Sequence, residues 1–163
     1  MHALAPGNPI RTSSLSRSDR LLLWAMRTWV IALKQRVDAA PPLEAAFTRY
    51  SLPAGAQLVD ALMSVVACGA TRPLTIECVC CGIASSDESR LLAAAGLYQR
   101  DQGFEATFLL RDMLAPAPSR AAGEILQRLS EVLLEGAQWL SAWELRTERF
   151  SFPARGATCL RLH

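Results

Sequence analysis

A chain of 163 residues with 51% hydrophobic and 20% charged side chains has enough apolar material for one domain with its own core, which excludes wholesale disorder. Seventeen basic against fifteen acidic residues leave +2, too little to mark nucleic acid or an anionic membrane as a partner. Alanine and leucine dominate the apolar half, so the composition favours a mainly helical fold.

Residues 1–14 hold Pro6, Gly7, Asn8 and Pro9 without periodicity, which predicts a flexible tail. Ser16, followed by Asp19, reads as a helix start, because its side chain satisfies a free amide and the carboxylate sits at the positive end of the dipole. The first helix then runs to about Arg36. Leu21, Leu22, Ala25, Met26, Trp29, Val30, Ala32 and Leu33 cover more of it than the usual apolar stripe, so it is expected to be central or shared between subunits. Pro41 and Pro42 stop it; a second helix spans about 42–50, Pro53 breaks that, and a third covers about 54–68 up to Gly69. Leu74, Ile76, Cys78 and Cys80 alternate with Thr75 and Glu77, predicting a strand over 74–80.

Ser85 with Glu88 forms a capping box for a fourth helix over about 87–101. Gly103 separates it from a fifth over about 104–114, which Pro116 and Pro118 are expected to end. A sixth helix is read over about 119–143. The Arg-rich segment 144–163 is expected to pack on, or extend from, a domain spanning 15–143, with 145–152 as the partner of the 74–80 strand. The fold class is therefore mainly α, a single-domain bundle of about six helices with a small β element.

Residues 1–38 carry net +4 and residues 39–118 net −3, so the positive excess is local. Lys34 is the only lysine. Five cysteines is an odd number in a chain large enough to build a core without disulfides, which fits a reducing compartment. The apolar stretch 21–33 carries Arg27 at its middle and is too short for a bilayer, which needs about 20 residues. The expected protein is cytoplasmic, without a transmembrane segment or a cleaved leader.

Two helical surfaces stand out. Ala122, Leu126, Leu129, Leu133, Gly136, Leu140 and Trp143 follow an unbroken alternation of four and three, widened by Ile125, Val132 and Trp139. That seam predicts a packed core or a subunit interface. Arg20, Arg27 and Lys34 form a basic line on the first helix, with Trp24 and Ile31 beside it. Arginine stems over an indole can be ordinary packing, or they can be a face that binds a protein partner.

Helix, break, helix and strand over 42–81 resemble a winged helix. Between Tyr50 and Thr71, however, there is no lysine or arginine to meet phosphate, so DNA binding would need Arg11, Arg17, Arg20, Arg49 and Arg72 to converge. Cys78 and Cys81, a Cys-x2-Cys pair before Gly82, form half a zinc knuckle, and Cys159 with His163 supply a second half. Apart from that zinc set, no cofactor is expected. His2 and His163 are the only histidines, both at the extremes of the chain, and no phosphate loop or nucleophile elbow occurs. Catalytic residues are not assigned, and the reading leans away from an enzyme.

Residues 103–118, with Ala106, Leu109, Met113, Leu114 and Pro118 at its small, bulky and proline positions, resemble the second helix of a tetratricopeptide repeat. The resemblance covers one hairpin, without a second copy at a period of about 34 residues. It implies a helical protein-binding scaffold. The functional expectation is thus a non-enzymatic interaction or regulatory module that self-associates, with a zinc- or DNA-binding regulator as the alternative and an enzyme of unknown class as the second alternative.

Overall fold

The computed structural model describes residues 10–141 and the backbone of 160–162. Six helices dominate: α1 (Arg17–Gln35), α2 (Ala40–Arg49), α3 (Pro53–Gly69), α4 (Ser86–Tyr98), α5 (Gly103–Arg111) and α6 (Pro116–Glu135). Four short strands, β1 (Ile10–Arg11), β2 (Leu74–Ile76), β3 (Ile83–Ala84) and β4 (Leu160–Leu162), form two antiparallel pairs, β1 with β3 and β2 with β4. The mainly helical single domain expected from composition is what is observed.

Helix starts follow the capping chemistry. Ser16 and Asp19 close a reciprocal box at α1, and Ser85 with Glu88 closes another at α4, each satisfying two amides that the helix leaves open. Both ends of the last helix differ from the sequence reading. Pro116 and Pro118 open α6 instead of ending the preceding helix, because the first turn needs no amide donors and proline supplies the right φ. α6 stops at Glu135, where Ala137 takes a left-handed φ of 54°. Beyond it Leu140 is buried from an irregular segment, tied down by Gln99, which accepts from the Leu140 amide and donates to the Gln138 carbonyl. Asp19 accepts from the amide and hydroxyl of Ser141 and holds that segment to the start of α1. Trp139 is exposed and does not widen the apolar stripe. Trp143 lies outside the described residues.

Residues 10–14, read as part of the tail, are built in: Ile10 is buried, and β1 pairs Ile10 with Ala84. β2 ends at Ile76 rather than reaching Cys80, because the Glu77 amide turns away to the Glu88 carboxylate. Its partner is β4, with Leu74 opposite Leu162. The expected partner, 145–152, falls outside the described residues.

The core lies among α1, α3, α4 and α6, with Leu22, Met26, Leu62, Met63, Leu91, Leu126 and Leu129 all buried. α3 and α6 form the most extensive helix pair. α2 packs on α3 so closely that a Cβ on Gly55 would sit 2.3 Å from Cδ1 of the buried Phe47 ring. Gly55→Ala gains about 1 kcal/mol of helix propensity but overpacks a ring that has no room to move, at about 1–3 kcal/mol. The expected net result is a lower urea midpoint, measured by unfolding at equilibrium.

Candidate functional site

Between β2 and α4 the chain makes a tight turn over 77–84, and the middle of α1 lies against it. Arg27, read from sequence as part of an exposed basic line, is 2% exposed and points into this turn. Its Nε donates to Glu88 Oε1 at 2.8 Å and one Nη2 proton to Oε2 at 2.9 Å. Nη1 donates to the carbonyls of Cys78 at 3.1 Å and Cys81 at 2.7 Å, and Nη2 to that of Ile83 at 2.8 Å. All five guanidinium donors are thereby used. The interaction face Arg20, Trp24, Arg27, Ile31, Lys34 therefore loses its central cation, because a carboxylate and three carbonyls from the turn cover it.

Glu88 has no exposure and serves more than the cap. Its Oε2 accepts from the Ser85 amide at 2.8 Å, and its Oε1 accepts from the Glu77 amide at 2.9 Å. One carboxylate thus joins the α4 start, the end of β2 and α1. Glu77 is itself buried, and its Oε2 has no hydrogen-bond partner among the described residues. Burial works against the Arg27 charge, but the Glu88 hydrogen bond and the charges of Glu88, Cys81 and Glu77 outweigh it and hold the guanidinium above its ordinary range.

The turn carries three thiols. The Cys78 and Cys80 Sγ atoms are 3.0 Å apart, and the Cys81 amide donates to the Cys78 carbonyl at 3.0 Å. Cys80 is exposed, whereas Cys78 and Cys81 are half-buried. The Cys80 thiol holds its proton above the usual thiol range, chiefly through its hydrogen bond to Cys78 and then through repulsion between the two sulfurs as thiolates. Beside the turn is a shallow cavity of about 170 Å³ lined by Thr12, Arg20, Leu23, Trp24, Arg27, Val79 and Cys81. Arg20 and Trp24 of the sequence-predicted face thus meet the cysteine turn, whereas Ile31 and Lys34 do not line the cavity.

A neighbouring ion network secures the α4 start from outside. Asp87 accepts from Arg72 Nη2 at 2.7 Å and from the Thr75 amide at 2.8 Å, and Arg90 bridges Asp87 and Asp112. The Asp87 hydrogen bond, more than it is opposed by burial, holds Arg72 above its ordinary range. Of the five arginines that a DNA surface would need, Arg72 belongs to this network and Arg17 lies over the Tyr50 ring.

The zinc set is only half in view. Cys78 and Cys81 lie on the turn, Cys159 and His163 lie outside the described residues, and no group of three or more candidate ligands stands together among the described residues. The α6 seam residues Leu126, Leu129 and Leu133 face the core. None of the described helices is long and apolar enough to cross a membrane. The fold and site define a small helical domain with an arginine-pinned cysteine turn. Comparison with protein-family models, curated proteins and solved structures finds no match to this chain.

Proposed function

We propose that the protein is a non-catalytic interaction module that pairs with a second copy of itself through α5. The observation that carries this reading is an aromatic pair on the outer face of that helix. Phe104 is 76% exposed and Phe108 59% exposed, and their rings meet edge to face with centroids 5.0 Å apart. Two phenylalanines held together in water are the kind of anchor that interfaces bury. At 100° per residue Arg111 falls on the same side of the helix within about 60°.

Charge favours a second copy as the occupant. α5 carries Glu105 in its first turn and Arg111 in its last. Two such helices packed antiparallel about a two-fold axis bring each Glu105 toward the partner's Arg111, so the surface complements itself. The α6 seam residues Leu126, Leu129 and Leu133 are buried in the core, which favours α5 as the pairing surface.

Light scattering on eluted peaks tests the proposal. The wild type is expected above the 17.8 kDa of one chain, and Phe104→Ser/Phe108→Ser is expected to elute as one chain with an unchanged melting temperature, since surface changes stay within about 0.5 kcal/mol. Arg111→Glu should weaken the dimer, and adding Glu105→Arg should restore it. A wild type that stays monomeric on concentration, or a double serine variant that stays dimeric, overturns the assignment to α5.

A further inference from the structure

The 78–82 turn combines close thiols, exposure and a nearby cation, Arg20, none of which the self-association of α5 uses. We propose that Cys78 and Cys80 form a reversible disulfide within one chain, making this turn a site of thiol–disulfide exchange with small anionic disulfides of the glutathione class.

The geometry is close to the product. Sulfurs 3.0 Å apart need to approach by only about 1 Å to reach a bonded distance. The backbone around them is already folded by the amide of Cys81 on the carbonyl of Cys78, and Arg27 fixes the carbonyls of Cys78 and Cys81. Cys80 is exposed enough for an incoming disulfide to reach. Exposed Arg20 lines the adjoining cavity together with Cys81 and Val79, and its charge favours a carboxylate of a glutathione-like molecule. Exchange requires a thiolate on one cysteine beside a thiol on the other, and the 3.0 Å separation of the two sulfurs places them for it.

The exchange balances in two steps. The thiolate attacks one sulfur of the small disulfide, forming a mixed disulfide and expelling one small thiolate. The second cysteine gives its proton to water and attacks the protein sulfur of the mixed disulfide, expelling the second. The protein loses two electrons and two protons, which leave on two small thiols.

The test treats the full reduced chain with glutathione disulfide, blocks remaining thiols and maps bonds by mass spectrometry. The wild type, Cys81→Ser and Cys159→Ser are expected to give a Cys78–Cys80 bond within a single chain, reopened by excess reduced glutathione. Cys80→Ser should fold normally by circular dichroism, form no internal bond and stop at the glutathione adduct. As a second measurement, phenylarsine oxide, which bridges neighbouring thiols, should bind the wild type and Cys81→Ser one to one, and Cys80→Ser at least tenfold more weakly. A wild type that yields only adducts, a bond to Cys81 or Cys159, a cross-linked dimer or no change overturns the proposal.

Discussion

Arg27→Met should lower folding stability by about 3–5 kcal/mol, the cost of breaking a buried ion pair from one side, a large part of the roughly 5–15 kcal/mol available to a domain. Methionine keeps much of the arginine stem but removes the charge that faces Glu88, which has no exposure. Two further losses follow. The carbonyls of Cys81 and Ile83 lose the guanidinium donors at 2.7 and 2.8 Å, and buried Glu77 loses the cation on which its charge acts. Lysine would not rescue the site, since three donors on one atom cannot reach a carboxylate and three carbonyls.

A second variant separates charge from hydrogen bonding. A buried ion pair replaced on both sides by apolar residues often regains its stability. Here Arg27→Met/Glu88→Leu should not, because the Glu88 carboxylate also accepts from the amides of Glu77 and Ser85, and leucine leaves both without it. Urea midpoints of the two variants should be equally low, and recovery in the double variant would show that the backbone bonds matter little. The guanidinium is held above its ordinary range. Its stabilisation is therefore complete below the unfolded value and lost only above the folded one, so the Arg27→Met difference should not shrink between neutral and mildly alkaline pH.

The helices were legible because their starts are written locally. Ser16 with Asp19 and Ser85 with Glu88 state their capping boxes within four residues, and the α6 seam of Leu126, Leu129 and Leu133 is buried as its spacing requires. What failed was long-range. The spacing of Arg20, Arg27 and Lys34 shows that they share a side of α1, not what covers it, and the cover for Arg27 comes from Glu88, 61 residues on. A signal was present: a cap occupies only part of a carboxylate's accepting capacity, so assigning Glu88 to its cap alone left lone pairs unassigned. The seam past Glu135 kept helical spacing at Gly136 and Leu140, but spacing is blind to a left-handed residue such as Ala137. Residues 77–80 were read as strand because alternation cannot see that the Glu77 amide has a better partner, the Glu88 carboxylate, than a neighbouring strand. Phe104 and Phe108 lay in the stretch compared with a repeat helix, yet their exposure depends on α4 and α6 covering the opposite side of α5.

Leu133→Asp is expected to abolish cooperative unfolding altogether. Leu133 is 1% exposed on the α6 face that packs against the core. Losing its apolar burial costs about 1.5–3 kcal/mol, and a carboxylate placed there without a partner adds several more; together these approach the whole stability of a domain of this size. Arg128→Asp, which places an aspartate on the exposed side of α6, should move the transition by no more than about 0.5 kcal/mol. The pair also decides between the two meanings of the seam. An interface residue changed to aspartate would leave a folded chain of lower mass, with its melting transition intact, whereas a core residue leaves no transition to measure. A folded, monomeric Leu133→Asp protein would therefore move the self-association surface from α5 to α6 and remove the α3–α6 contact from the core.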